Sequence, residues 1–189
     1  MTKLEDYIVL MKGGITTSLC DALIGEYGEC DLWEKSGITN QKILDESIRK
    51  VEEIAISTDI VISKNPRKRQ ELDRYIYATV GNAIDLYGKK FPDVCAEQDT
   101  GYNLLKYKES YHYKEHVDSN AGGGLYREIS CSIILNSDYD GGEFAFFDGE
   151  KIYALEKGDI LMFPSNFMYP HAILPVTKGE RISIVTWFR

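Results

Sequence analysis

Arg181-Ile182-Ser183-Ile184-Val185-Thr186-Trp187-Phe188 alternates in two registers, with Arg181, Ser183, Val185 and Trp187 on one face and Ile182, Ile184, Thr186 and Phe188 on the other. A period of two belongs to a pleated strand, whose successive side chains point to opposite sides of a sheet. One face is almost wholly apolar and suits a core. The other sets a guanidinium and a hydroxyl beside an aliphatic and an indole, which suits the wall of a pocket better than a solvated surface.

The same period recurs upstream. In Arg127-Glu128-Ile129-Ser130-Cys131-Ser132-Ile133-Ile134-Leu135-Asn136, the residues Ile129, Cys131, Ile133 and Leu135 share one face, and Ser130, Ser132 and Ile134 share the other. Tyr139-Asp140-Gly141-Gly142 reads as a turn, Glu143 to Phe147 and Lys151 to Leu155 as short strands, and Gly158-Asp159 as the entry to the apolar strand Ile160 to Phe163. From Gly101 onward, many short strands with few helices among them indicate a sandwich or barrel.

The front half carries the helical period instead. Thr16, Thr17 and Ser18 can cap a helix with Leu19, Leu23, Ile24 and Tyr27 on one face, weakened at Gly25 and Gly28. A longer stripe, Leu72, Ile76, Val80, Ala83, Ile84 and Tyr87, predicts a helix from about Arg67 to Lys89 that ends before Phe91-Pro92. Between them, Ile43 to Ile54 fits a helix, while Glu53-Ile54-Ala55-Ile56-Ser57 also fits a strand. The expectation is one domain over residues 1–189, mainly β with supporting α-helices (α+β): residues 1–100 form a helical support region and residues 101–189 the β core.

Composition narrows the function. Thirty Asp+Glu against 22 Lys+Arg leave a net charge of -8, which argues against a binder of nucleic-acid backbones. The local run Lys64, Arg67, Lys68, Arg69 reads as a solvated helix entry. Met1 to Lys12 mixes acids with apolar residues, and no apolar run approaches the roughly 20 residues that cross a bilayer. No membrane partner is therefore expected, and the expected location is cytoplasmic. Cys20, Cys30, Cys95 and Cys131 show no C-x-x-C spacing and read as free buried thiols.

Chemistry concentrates at Tyr107-Lys-Glu-Ser-Tyr-His-Tyr-Lys-Glu-His116-Val-Asp118, with His171 further on and Arg181 ten residues after it. His116, Asp118 and His171 form the sequence pattern of the facial triad, two imidazoles and one carboxylate that hold Fe(II) and leave positions open for substrate and oxygen. An acid follows a histidine at that spacing about one time in six at this composition, so the surrounding motifs must carry the reading. His112 fits no ligand position.

Those motifs run in order. Tyr107-x-x-Ser110-x-x-Tyr113-x-x-His116-x-Asp118, Arg127 to Asn136, Gly141-Gly142-Glu143, Gly158-Asp159-x-x-x-Phe163-Pro164, and His171-x-x-x-Pro175-Val176-x-x-Gly179-x-Arg181 to Trp187 closely resemble the prolyl 4-hydroxylase branch of the 2-oxoglutarate and Fe(II)-dependent dioxygenases. The resemblance implies a double-stranded β-helix (jelly-roll or cupin-like) core packed against N-terminal helices. It implies Fe(II) held by His116, Asp118 and His171, with 2-oxoglutarate and O2 as co-substrates and ascorbate as a candidate reductant.

By the same resemblance, Arg181 pairs with the far carboxylate of 2-oxoglutarate, Ser183 adds a hydroxyl and Tyr107 touches the co-substrate. A guanidinium suits that role because its planar fork meets both carboxylate oxygens. Trp187, Tyr113, Ser132 and Ile134 fall in the substrate pocket. Ser110 stands where the family usually has glycine, and Ile134 where some animal members place a co-substrate tyrosine, which shifts the weight onto Arg181 and Ser183. Asp118 favours hydroxylation, since halogenating relatives lack the carboxylate.

The implied activity is hydroxylation of an unactivated C–H bond, with peptidyl proline as the first candidate and a proline-containing peptide or protein as partner. The alternatives are hydroxylation of a free amino acid or another protein side chain, or a non-catalytic metal-binding β-helix. Val61 to Arg69 and Asp118 to Leu125 are expected at the barrel mouth, with Ser119 to Gly124 as a mobile rim.

Overall fold

The alternating segments of the back half close into two antiparallel sheets in the computed structural model, which describes residues 3–38, 43–57, 65–119 and 126–189. In chain order the elements are β1 (Val9–Met11), α1 (Thr17–Tyr27), β2 (Glu34–Lys35), β3 (Arg49–Lys50), β4 (Glu52–Ala55), α2 (Pro66–Lys90), β5 (Asn103–Tyr107), β6 (His112–His116) and β7 (Ile129–Ile134). They continue as β8 (Asp140–Gly141), β9 (Phe144–Phe146), β10 (Lys151–Tyr153), β11 (Ile160–Pro164), β12 (His171–Ile173), β13 (Val176–Lys178) and β14 (Arg181–Phe188).

One sheet runs β1-β11-β7-β14-β5-β4-β2 and the other β10-β9-β12-β6-β3, while β8 and β13 pair separately. Along the chain, β5, β7, β11 and β14 fall in the first sheet and β6, β9, β10 and β12 in the second. The backbone therefore winds back and forth between two four-stranded halves, which is a double-stranded β-helix.

The two faces of β14 meet two different cores. Ile182, Ile184 and Phe188 join Ile129, Cys131, Ile133 and Leu135 of the β7 segment under Leu23, Tyr27, Ile76, Val80 and Tyr87 of the helices. The opposite face looks across to the second sheet, and between the sheets Leu105, Tyr107, Leu161 and Phe163 of the first pack with Phe144, Phe146 and Ile173 of the second. The apolar face of the strand is thus the floor for the helices, and the face bearing Arg181 and Ser183 is the inside of the barrel.

Helix α1 starts where expected. Thr16 accepts a hydrogen bond from the Leu19 N–H at 3.3 Å, satisfying an orphan donor of the first turn. The helix continues through Gly25 and ends at Gly28, whose carbonyl accepts a 2.8 Å bond from the buried Lys106 of β5. Helix α2 buries Leu72, Ile76, Val80, Ala83 and Tyr87, the predicted stripe, and the Tyr87 hydroxyl donates to the Tyr7 carbonyl at 2.8 Å.

Three expectations need correction. The front half is not only helical, because β1 extends one edge of the first sheet, β4 and β2 the other, and β3 the second sheet; β1, β2 and β3 are two or three residues long and leave no readable period. Of the two readings left open for the segment before α2, the strand holds, at Glu52–Ala55. Arg69 is buried, not solvated: its Nε meets Glu26 Oε1 at 2.9 Å and its guanidinium lies 4.7 Å from the Tyr27 ring centre, which ties α2 to α1. Breaking such a buried pair from one side costs about 3–5 kcal/mol. Of the free cysteines, Cys20 and Cys131 are buried, but Cys30 is half-buried and Cys95 exposed.

No helix among the described residues is long and apolar enough to cross a membrane. The rim expected at 61–69 and 118–125 is described only at 65–69 and at 118–119, so most of the mobile-rim expectation lies outside the described residues.

Candidate active site

His116 closes β6 and His171 opens β12, and the two are register partners across that strand pair. Neighbouring strands therefore set the imidazoles side by side, with ring centres 4.3 Å apart. Asp118, two residues past the end of β6, brings Oδ1 to 3.6 Å from His116 Nε2 and Oδ2 to 3.6 Å from His171 Nε2. The three ligand atoms lie within 4.8 Å of one another, and they form the metal-capable cluster among the described residues.

The backbone orients both rings. His116 Nδ1 lies 2.8 Å from the Lys114 carbonyl, and His171 Nδ1 lies 3.1 Å from the Tyr169 carbonyl, each two residues upstream. A carbonyl can only accept, so Nδ1 carries the proton and the Nε2 lone pair is left facing Asp118. Two lone pairs turned toward a carboxylate repel it, and 3.6 Å is too long for a hydrogen bond to relieve that. A divalent cation between them resolves the repulsion. Ligands about 2.1 Å from an ion stand roughly 3–4 Å apart, which the two 3.6 Å spacings from Asp118 match. Two nitrogens and one carboxylate suit Fe(II) in a facial triad.

Electrostatics agree with that occupancy. Burial pushes the His171 pKa down to about 4 against the opposing pull of Asp118, so the ring is neutral at physiological pH, the state that binds metal. Burial pushes the Asp118 carboxyl up, but positive charge beside it, on His171 and His116 when protonated or on a cation in their place, and the Ser130 hydroxyl outweigh it and hold it well below the usual carboxylate range. Ser130 donates to Asp118 Oδ2 at 2.6 Å and stands 2.8 Å from the Ser165 hydroxyl, a support that fixes the carboxylate.

A second charged group lies in the same pocket. Arg181, 1% exposed, donates from Nη1 to Ser183 Oγ at 2.9 Å, while its Nε and Nη2 are buried without a hydrogen-bond partner. Its guanidinium stands 5.4 Å from the ring centres of both Tyr107 and Phe144. Tyr139 lies alongside; burial raises its phenol pKa and the guanidinium eases it down, but its oxygen completes no bond to Nε or Nη2. A buried cation with two orphan donors fits an incoming carboxylate.

Space for Arg181 comes from Gly142, whose φ is +70°. A Cβ there would stand 2.8 Å from Arg181 Cδ and 3.1 Å from Val176 Cγ2. The Gly141-Gly142 pair that reads as a turn thus also makes room for the guanidinium stem.

Tyr107, Tyr113, Ser132, Ser183 and Trp187 line the pocket together with the two histidines, Asp118 and Arg181. Ile134 does not. It is fully buried where β7 ends, and the Gly158–Asp159 turn closes on its backbone, with Ile134 N donating to the Asp159 carbonyl at 3.0 Å and Gly158 N to the Ile134 carbonyl at 2.8 Å.

Two arginines enter that the sequence did not single out. Arg49 of β3 lines the pocket with its guanidinium 4.9 Å from the Tyr113 ring centre. Arg127 stacks 3.5 Å from the Trp187 ring centre and donates to the Asp118 carbonyl at 3.2 Å. Arg127 was legible as the polar start of β7's segment; Arg49 was not, because nothing in a two-residue strand fixes its facing.

The model of the 2OG-Fe(II) oxygenase superfamily matches residues 102–189. A PKHD-type hydroxylase of Idiomarina loihiensis is 37% identical over 88 residues, 44% of this chain and 39% of the relative. One of Maricaulis maris is 33% identical over 90 residues, 46% and 40%. The chain thus matches about two fifths of the length of these curated relatives.

Among solved structures, a prolyl hydroxylase from Trichoplax adhaerens, in complex with a hypoxia inducible factor oxygen degradation domain peptide fragment, superposes with a TM-score of 0.78 at 15% identity, covering 96% of this chain and 83% of its own. A Pseudomonas putida prolyl-4-hydroxylase gives 0.72 at 21% identity, covering 97% and 92%. Residues 102–189 are thus similar to the 2OG-Fe(II) oxygenase superfamily, and the fold is the double-stranded β-helix of those two prolyl hydroxylases. That family implies Fe(II), 2-oxoglutarate and O2.

Proposed function

We propose that this protein is a 2-oxoglutarate- and Fe(II)-dependent hydroxylase of an unactivated C–H bond, with a prolyl residue of a peptide or protein as its substrate. The observation that carries the reading is the buried guanidinium of Arg181, with two unpartnered nitrogens, in the same pocket as the converging His116, Asp118 and His171. A metal site alone would fit many chemistries. A metal site sharing a pocket with an unsatisfied buried cation fits a small dianion with a metal-binding group at one end and a carboxylate at the other.

In this reading His116, Asp118 and His171 hold the iron, with Asp118 kept ionised and His171 kept neutral as described. Arg181 and Ser183 bind the far carboxylate of 2-oxoglutarate, and Tyr107, buried beside Arg181, closes the co-substrate's side. Phe144, Phe163 and Ile173 exclude water from that end. Tyr113, Ser132 and Trp187 form the wall met by the prime substrate. Bound there, Fe(II) with 2-oxoglutarate and O2 would supply the oxidising chemistry for hydroxylating a C–H bond, 2-oxoglutarate being converted to succinate and CO2. The protein supplies ligand orientation, charge complementarity and a dry pocket.

The substrate class draws support from the matched PKHD-type hydroxylases and from prolyl hydroxylases of the same fold, one of them seen with a peptide. Two measurements test the whole. Anaerobic addition of Fe(II) and 2-oxoglutarate gives a visible charge-transfer band that His171→Ala abolishes; a wild type without a band refutes the enzyme reading. Succinate release over a panel of proline-containing peptides and free proline then tests the substrate. Stimulation by free proline only would move the assignment to a free amino acid.

A further inference from the structure

Three side chains from two strands are layered at the edge of the site. Tyr113 of β6 lies on His116 with ring centres 3.5 Å apart and planes 15° from parallel. Arg49 of β3 places its guanidinium over the same tyrosine, 4.9 Å from the ring centre. The pairing is built into the backbone, since Arg49 and Tyr113 are register partners of β3 and β6 and the Lys114 N–H donates to the Ile48 carbonyl at 2.9 Å.

Arg49 is itself held firmly. Its Nη1 donates to the Gly37 carbonyl at 2.7 Å, and Nη2 lies 3.5 Å from Glu53 Oε2, an oxygen that also accepts from Ser36 at 2.5 Å. The side chain is largely buried, and its Nε has no partner. A cation over an aromatic face is attracted to the ring quadrupole, and the attraction grows when water is excluded. The anchored guanidinium therefore limits the tilt of Tyr113, and the parallel ring limits rotation of the His116 imidazole about its Nδ1 bond to Lys114.

The geometry points to Arg49 as a positioning residue for the metal centre, acting through Tyr113 to keep the His116 imidazole in its ligating orientation. The inference rests on the proposed metal site but goes beyond it, because it places a determinant of metal affinity in the front half, outside the residues matched by the superfamily model. Groups that orient a metal ligand change affinity about 10–100-fold when lost, and one acting through an intermediate ring belongs at or below the low end of that range.

The test is Co(II) binding to the metal-free 189-residue chain, followed by its ligand-field spectrum and by thermal melting. Arg49→Met is expected to weaken Co(II) binding roughly fivefold to tenfold and to alter the spectrum, and Arg49→Lys, which keeps the cation, to recover most of the loss. Tyr113→Leu, which removes the ring, behaves like Arg49→Met and carries the test if Arg49→Met fails to fold. Lys50→Met is the control, since Lys50 sits on the same strand but lies over Tyr111. Wild-type affinity in a folded Arg49→Met or Tyr113→Leu overturns the inference, as does an equal loss in Lys50→Met, which would mean that packing of β3 is what matters. If wild type binds no Co(II), or His171→Ala binds equally well, the metal-site reading falls and takes this inference with it.

Discussion

Replacing Arg181 with methionine separates the stability of the protein from its proposed affinity for 2-oxoglutarate. Truncating a fully buried side chain ordinarily destabilises by about 3–5 kcal/mol. Arg181 is different, because its Nε and Nη2 are buried without partners, and each unsatisfied donor costs about 1–3 kcal/mol. Removing them recovers roughly what is lost with the Ser183 bond and the contacts to the Tyr107 and Phe144 rings. Methionine keeps much of the apolar volume, so the apo melting temperature should move by no more than about 1 kcal/mol, or roughly 2–4 °C for a chain of this size.

Binding should behave in the opposite way. Truncating one side of a buried charge pair costs about 2–5 kcal/mol, a loss of at least roughly 30-fold in affinity. In a melting titration with Mn(II) as a redox-inert metal, 2-oxoglutarate at about 100 times the wild-type Kd should stabilise wild type by about 2.7 kcal/mol and the variant by less than about 1 kcal/mol. A variant that keeps the full 2-oxoglutarate shift, or whose apo form melts more than about 10 °C lower, would refute the argument from the orphan nitrogens.

Two further outcomes follow from the same structure. Gly142→Ala sets a Cβ against Arg181 Cδ; it should weaken 2-oxoglutarate binding roughly tenfold while leaving Co(II) affinity within twofold, measured by parallel titrations, in line with the cost of a small misplacement of a binding group. Asp159 is buried and accepts from Lys12 at 2.7 Å, Glu156 N at 2.9 Å and Gly13 N at 3.1 Å. Burial pushes its pKa up, but these donors outweigh it and hold the carboxyl below its ordinary 3.8. A depressed native pKa gives stability that is present above the unfolded value and lost as pH falls through the native one. Asp159→Asn should therefore melt about 2 kcal/mol, or roughly 4–8 °C, below wild type from pH 5 to 8, and the gap should close below about pH 4. A gap that persists unchanged at pH 3 would contradict this.

What was legible in the sequence followed from periodicity. The alternation from Arg181 to Phe188 is β14, the stripe from Leu72 to Tyr87 is the buried face of α2, and the motif spacing delivered His116, Asp118 and His171 to one point because register across β6 and β12 fixes it. Arg69 could have been found, since it sits three residues before Leu72 on the same helical face, but its charge suggested solvent. Ile134 shares the alternation of Ser130 and Ser132, but a face says nothing about where a pocket ends, and there the Gly158–Asp159 turn seals the strand. The strands β2 and β3 were illegible because two residues cannot show a period; pairing with β4 places β2, pairing with β6 places β3, and pairing with β5 decides the strand reading of β4.

The two ends of the pocket stand on different sheets. His116 and His171 belong to the five-stranded sheet, and Arg181 and Ser183 to the seven-stranded one. A molecule that grips both ends is a strut across the hollow of the barrel, and the faces it joins can no longer breathe independently. Amide hydrogens of β6, β12 and β14 should then slow their exchange together when the pocket fills, even though only a few side chains touch the occupant.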